Sequence, residues 1–338
     1  MSNDLILVRE APAIPGLKFR HFRGEVDYPA MLKAIAASAD ADKIERADTI
    51  ENLANGYAHL TNCDPYHDMI FAEVNDEVIG YSRGWWYQEQ NDGPYLYGFV
   101  GFLVPAWRRK GIGQTVLQWV ENRMREVAAI HHPPEKEKFF QAFTTQYEAG
   151  VAAMLQKNGY QPIRYFHEMV RPTLDNIPDF PLPEGLEVRP VQPDHYRKIW
   201  DASNEAFRDH WGFSEPTEED YQAWLGDKSI FQPQLWQVVW DVASDQIAGQ
   251  VRTFIDHGQN AKFNRKRGYT EFISVGRPWR KRGVARALII RSLLVQKEQG
   301  MTQSALGVDS ENPSGATRVY EDCGFQVVKK NTIYRKPL

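Results

Sequence analysis

Two cysteines in 338 residues, Cys63 and Cys323, are too few for a disulfide framework, so a packed core must hold the chain. Their scarcity suits a reducing compartment, and a cytoplasmic protein is the expectation. Nor is a targeting leader expected. Residues 1–9, Met-Ser-Asn-Asp-Leu-Ile-Leu-Val-Arg, carry no basic n-region and no long apolar stretch, and nowhere do 18 apolar residues run together. No membrane span or membrane partner is therefore expected. Charge of one sign is also lacking: 40 basic against 44 acidic side chains leave a net charge of −4, which gives no overall basic field for nucleic acid. There is no Gly-x-Gly-x-x-Gly after a strand and no Gly-Lys-Ser/Thr, so the dinucleotide and P-loop readings fail. His131 and His132 stand without further ligands at metal spacing, which predicts a solvated loop and no metal site.

What the chain has is bulk. Its composition, 42% hydrophobic, 25% charged and 12% aromatic, is that of a soluble globular protein. Its length exceeds one core and suits two domains of about 150–170 residues. The organising stretch is 271–285, Glu-Phe-Ile-Ser-Val-Gly-Arg-Pro-Trp-Arg-Lys-Arg-Gly-Val-Ala, followed by a helical run over 286–298. Val284, Ala287, Leu288, Ile290, Leu294 and Val295 recur near the 3.6-residue period of a buried face, so strand, basic glycine turn and helix follow one another. At such a helix start the first N–H groups lack intrahelical partners and the dipole is positive, which favours an anion with several oxygens. Gly283 lets the backbone approach that anion, and the small Ala285 leaves it room. Taken alone, the motif reads equally well as a cationic turn opening an ordinary helix.

The chain repeats it. Leu-Val-Pro-Ala-Trp-Arg-Arg-Lys-Gly-Ile-Gly over 103–113 has the same order, with Trp107 and Trp279, like Gly111 and Gly283, 172 positions apart. Downstream, Gln-Lys-Asn-Gly-Tyr at 156–160 matches Glu-Asp-Cys-Gly-Phe at 321–325, offset by 165. Two landmarks in one order at nearly one period indicate a tandem duplication.

Arg280-x-x-Gly283-x-Ala285 and Arg108-x-x-Gly111-x-Gly113 resemble the Arg/Gln-x-x-Gly-x-Gly/Ala loop of the GNAT superfamily of acyl-CoA-dependent N-acetyltransferases. The resemblance implies that loop amides hold the pyrophosphate of acetyl-CoA. In the second half it puts Ile273, Val275, Arg280, Lys281, Arg282, Gly283, Val284 and Ala285 at the co-substrate, with Asn312 bonding the pantetheine arm. In the first half it puts Arg108, Arg109, Gly111 and Gly113 there. It implies an α+β fold, mixed α/β in content, of two tandem GNAT-type domains, each a mostly antiparallel mixed sheet flanked by helices.

Pattern along the chain fits that order. Residues 1–16 read as a leader with Pro12 and Pro15. Strands are expected over 17–22, 69–74, 78–87, 95–104, 139–144 and 164–171, and helices over 28–39, 50–60, 111–129 and 148–157. Pro172, Pro178, Pro181 and Pro183 then break regular structure and predict a stiff spacer. Strands restart over 186–190, 236–242, 247–255, 269–275, 304–308 and 325–334, with helices over 195–207, 218–225, from 283, and over 313–323. The expected division is a first domain over 1–172, a linker over 173–185 and a second domain over 186–338.

Acetyl transfer from a thioester to an amine needs a neutral amine, an activated carbonyl and a protonated thiol leaving group. The resemblance assigns the thiol's proton to Tyr320 and the amine's to Glu271. The alternatives are a half-buried tyrosine packed on Ala316 and a surface glutamate at a strand edge. Asn312 and Pro313 make a good helix start. Aligning the repeats, Phe99 stands for Glu271 and Leu155 for Tyr320, and neither moves a proton; Thr144, Thr145 and Tyr147 are the polar groups nearby. The expectation is an acetyl-CoA-dependent N-acetyltransferase acting on a primary amine, with a small molecule as acceptor, by direct attack in a ternary complex of the second half. A non-catalytic acyl-CoA sensor, and an enzyme with both halves active, remain open. The sequence leaves the oligomeric state unknown.

Overall fold

The structure is a computed structural model describing residues 4–90, 92–312 and 315–338. Chain contacts divide it into two compact units, Met1–Ile163 with Thr332–Leu338, and Arg164–Asn331.

The first unit contains β1 (Leu5–Ile6), β2 (Leu17–Arg20), α1 (Tyr28–Ala41), α2 (Ile50–Ala58), α3 (Pro65–Asp68), β3 (Met69–Val74), β4 (Glu77–Gln88), β5 (Tyr95–Leu103), α4 (Ile112–His131), β6 (Lys138–Thr145) and α5 (Ala149–Lys157). Asn75 and Asp76 join β3 to β4 with φ of 50° and 66°, the left-handed pair of a type I′ hairpin turn. Residues 1–16 are not only a leader, because Leu5 and Ile6 pair with Arg20 and Phe19 of β2. His132 is not solvated: its Nδ1 lies 2.7 Å from the Tyr97 hydroxyl and its ring stacks on Tyr95 at 4.1 Å. The terminal segment is fixed within this unit by Arg335 Nε donating to Gln141 at 2.8 Å and by Lys336 Nζ on the Glu121 carboxylate at 2.9 Å.

The second unit takes β7 (Gln161–Arg171) from Arg164 onward, then β8 (Leu186–Val188), α6 (Tyr196–Phe207), α7 (Glu218–Gly226), β9 (Gln237–Asp241), β10 (Gln246–Phe254), α8 (His257–Lys262), β11 (Arg267–Val275), α9 (Val284–Glu298), β12 (Gln303–Asp309), α10 (Ala316–Asp322) and β13 (Gln326–Pro337) as far as Asn331. Helix α10 starts at Ala316 rather than 313, and Pro313 lies outside the described residues. The proline-rich stretch is folded against this unit. Leu174 is 2% exposed, Ile177 and Phe180 pack on the same cluster, and Arg171 donates to the Thr173 and Asp175 carbonyls at 2.9 and 3.0 Å. The buried face of α9 is Val284, Ala287, Leu288, Ile290 and Leu293, while Leu294 is turned to solvent; 100° per residue carries the stripe through 293 instead.

Among the described pairings all are antiparallel except β5 with β6 and β11 with β12, which are parallel and short. The ladder covers only Tyr95–Gly98 of β5 and Arg267–Tyr269 of β11. Past these residues each strand runs on toward its glycine turn with one edge unpaired, leaving backbone N–H and C=O groups available to something other than a strand.

Candidate active site

The two glycine turns have one conformation. A short 3₁₀ turn, Pro105–Trp107 or Arg277–Trp279, is followed by an extended arginine, a left-handed basic residue, and a glycine that caps the helix. Arg109 and Lys281 both have φ of 60°, and Gly111 and Gly283 have φ of 90° and 86°. A left-handed non-glycine residue costs about 1 kcal/mol, so finding it twice points to a constrained turn. Alternating left-handed residues aim successive N–H groups into one concavity, which suits a phosphate. No side chain caps α4 or α9 at its start, so the first helical amides, Val284 and Ala285 among them in the second unit, remain for a ligand. A Cβ on Gly283 would stand 3.0 Å from the Phe180 ring, and one on Gly111 would stand 3.3 Å from Pro12.

The motif arginines are committed to protein. Arg280 donates Nε to the Val275 carbonyl at 3.1 Å, Nη1 to Asp209 at 2.6 Å and Nη2 to the Ala206 carbonyl at 2.9 Å. Arg108 repeats this with the Leu103 carbonyl at 3.1 Å and both Asp42 oxygens at 2.6 and 2.7 Å. The hydrogen bonds from Arg277 and Arg280 hold the Asp209 carboxyl down to about 2. These arginines therefore brace the turn against the first helix of each unit, and what they offer an anion is backbone. Lys281 and Arg282 are exposed, as are Arg109 and Lys110.

Beside the second turn, β11 is bulged. Gln250 pairs with Ser274 but Arg252 pairs with Glu271, so β11 carries one extra residue against β10, and Phe272 takes φ of 53°. No such break occurs in β4 with β5, where Gly80–Gln88 runs unbroken against Leu103–Tyr95. Nothing in the sequence marks the bulge, since phenylalanine has no preference for that φ.

Glu271 sits where the parallel ladder ends, and its Oε1 accepts the Gly307 N–H of β12 at 2.8 Å. Burial, with a smaller contribution from Glu168, pushes its carboxyl up to about 8 against the pull of the Gly307 hydrogen bond. Tyr320 of α10 is 8% exposed and packs edge-on to Phe325 at 6.4 Å. Its phenol is raised above the usual tyrosine value, first by burial and then by the Glu271 charge, so the two side chains lie within electrostatic reach. Ile273 packs against both core clusters to which α9 contributes, and Val275 packs against the one that contains Trp279. Asn312 stands between β12 and α10, its N–H on the Asp309 carbonyl at 3.2 Å and its carbonyl accepting Gly315 N–H at 3.1 Å.

In the first unit Phe99 lies edge-on to Tyr160 at 6.1 Å and Leu155 is fully buried in the same cluster. The place corresponding to the Glu271–Tyr320 pair is packed with hydrocarbon. Thr144 is buried, the Thr145 N–H is taken by Glu148 at 2.7 Å, and Tyr147 is exposed.

Residues 35–132 and 196–325 match the model of the Acetyltransferase (GNAT) family. The mycothiol acetyltransferase of Thermobispora bispora is 25% identical over 319 residues, covering 92% of this chain and 96% of that protein. That of Thermobifida fusca is 26% identical over 247 residues, covering 69% and 72%. Among solved structures, a GCN5-related N-acetyltransferase from Sphaerobacter thermophilus gives a TM-score of 0.69 at 24% identity over 95% of each chain. A tandem GNAT protein from the clavulanic acid biosynthesis pathway gives 0.65 at 15% identity over 95% of this chain and 98% of that one, and both likenesses concern the fold. With a glycine turn of the same conformation inside each matched segment, the chain belongs to the GNAT acetyltransferase family and is an N-acetyltransferase with tandem GNAT units.

Proposed function

We propose that the second unit moves the acetyl group of acetyl-CoA to a primary amine of a small molecule by direct attack in a ternary complex, and that the first unit is catalytically degenerate. The carrying observation is that Glu271, bonded to Gly307 N–H, and Tyr320, packed with Leu306 and Val308, both stand at β12, whereas the repeat in the first unit has Phe99 and Leu155. A small acceptor is favoured because relatives spanning nearly the whole chain are mycothiol acetyltransferases. In this reading the amides from Lys281 to Ala285 hold the pyrophosphate, and Asn312 holds the pantetheine arm. Glu271 takes the ammonium proton, the amine nitrogen bonds the acetyl carbon, the carbon–sulfur bond breaks, Tyr320 gives its proton to the departing sulfur, and the surplus proton on the new amide nitrogen restores the phenol. Release of CoA thiol from acetyl-CoA across a panel of small amines tests this reading. No release with any amine would reject it in favour of acyl-CoA sensing, and transfer that survives loss of Glu271 and Tyr320 together would relocate the chemistry.

The raised Glu271 carboxyl has a signed consequence. In the unfolded chain it ionises near 4.5, but in the fold only near 8, so its contribution to stability is present below pH 4.5 and is lost progressively as pH rises to about 8. Glu271→Gln should therefore raise Tm more at pH 8.5 than at pH 4.5. The same carboxyl must be ionised to take the ammonium proton, so wild-type kcat/KM should climb about tenfold per pH unit up to about pH 8 with an amine that stays protonated throughout that range. An equal Tm change at both pH values would refute the upward shift.

A further inference from the structure

Arg252 of β10 is a buried cation without an anion. It is 5% exposed, its Nε and Nη1 have no hydrogen-bond partner, and its Nη2 reaches only Ser203 Oγ at 3.5 Å. Among the described residues no carboxylate pairs with it, although Arg164, Arg171, Arg277 and Arg280 of the same unit all have oxygen partners. Its charge rests on aromatic faces, the Phe272 ring at 3.9 Å and the Trp224 ring at 5.2 Å. Burial pulls the guanidinium down to about 9. An unpaired buried charge is costly, so this guanidinium is not explained by stability.

Its position supplies the reason. Arg252 stands opposite Glu271 in the register of the bulge, and the extra residue, Phe272, lies on the guanidinium while 38% exposed. The cation is therefore one ring below the surface, on the strand paired with that of the candidate base. Gln250, two residues back and on the same face, is fully buried with Oε1 unpartnered, while its Nε2 donates to the Ile199 carbonyl at 2.7 Å. Two guanidinium nitrogens thus await an acceptor, while the Gln250 amide oxygen, itself an acceptor, awaits a donor.

We propose that Arg252 binds an anionic group of the acceptor, a carboxylate or the similar oxygens of a sulfonate or phosphate, so that the acceptors are acidic amines, with amino acids foremost. The inference rests on placing transfer at Glu271. A carboxylate set end-on across Nη1 and Nη2 closes the free Nη1 in bidentate geometry and orients the amine on the Glu271 side.

The test uses the full chain, acetyl-CoA, and pairs of amines differing only in the anion: amino acids with one to four carbons between the groups, their carboxamides, and the matching aminoalkyl sulfonates and phosphates. Hydrogen bonds to charged groups are worth about 1.5–3 kcal/mol, so wild type should favour the best anion over its carboxamide by about 10- to 150-fold in kcat/KM. Arg252→Met should erase that preference while leaving carboxamide turnover and the KM for acetyl-CoA in place. Its Tm should stay level or rise, because an unpaired charge is replaced by hydrocarbon of similar length; a cation serving structure alone would lower Tm and leave the preference intact. Binding is read separately, as a Tm increase with the anionic amine in wild type that Arg252→Met lacks. Equal use of anion and carboxamide by wild type, or no binding of any anionic amine, overturns the proposal. Binding of anionic amines without turnover of any amine keeps this site and rejects the catalytic reading.

Discussion

Gly283→Glu is expected to abolish acetyl transfer, while Gly111→Glu leaves most of it. The pair is an internally matched control. Both glycines are left-handed, at φ of 86° and 90°, and a side chain at either meets one neighbouring ring, Phe180 or Pro12. Conformational strain is thus similar at both, about 1 kcal/mol, and global unfolding cannot by itself separate them. Charge does separate them, if the second turn alone serves catalysis. A carboxylate about 5 Å from a phosphate charge at an effective dielectric near 20 costs about 3 kcal/mol, more than a hundredfold in acetyl-CoA binding, and pyrophosphate carries more than one charge. Steady-state kinetics with circular dichroism as the folding check would decide it. Equal losses from two folded variants would place chemistry in both units, and a loss confined to Gly111→Glu would reverse the assignment.

Tyr320→Phe should lower kcat about a hundredfold to ten-thousandfold with little change in the KM for acetyl-CoA. The ring keeps its packing on Phe325 and only the hydroxyl is lost, so Tm should hardly move. If the deficit reflects a missing proton donor, an acetyl thioester of a more acidic thiol should shrink it, because a better leaving group needs less protonation. The sequence suggests an alkaline limb near the ordinary phenol value of about 10. Burial and the Glu271 charge move that limb upward, so the wild-type profile should stay flat through pH 10. A variant with unaltered kcat would assign the proton to water or to another hydroxyl.

Long elements with a clear period were legible in the sequence. β3 spans the expected 69–74, and α5 and α7 end within a residue of expectation, because alternation or helical spacing held over each and capping or glycine signals bounded it. The glycine turns were legible because only a few residue types sustain left-handed backbone there. What remained hidden lacked a local signal. Two-residue β1 and four-residue α3 are shorter than any period, and the end of the proline-rich stretch that folds on the second unit is held by Arg171, which sequence pattern reads as one more strand residue. The bulge at Phe272 and the isolation of Arg252 are properties of packing, and no single residue announces either. The bracing roles of Arg108 and Arg280 were hidden for the same reason: their partners Asp42 and Asp209 stand 66 and 71 positions away.

The last seven residues, Thr332–Leu338, belong to the first unit although the chain has by then completed the second. The strand that contains them, β13, starts in the unit bearing Glu271 and Tyr320 and finishes in the other. A gene fragment ending at Ile163 would encode a first unit short of its closing segment, with the Glu121 carboxylate deprived of Lys336 and Gln141 deprived of Arg335. A fragment beginning at Arg164 would end in seven residues with no home. The repeats thus cannot be cut apart cleanly: deleting the first would strand the seven-residue tail that follows the second.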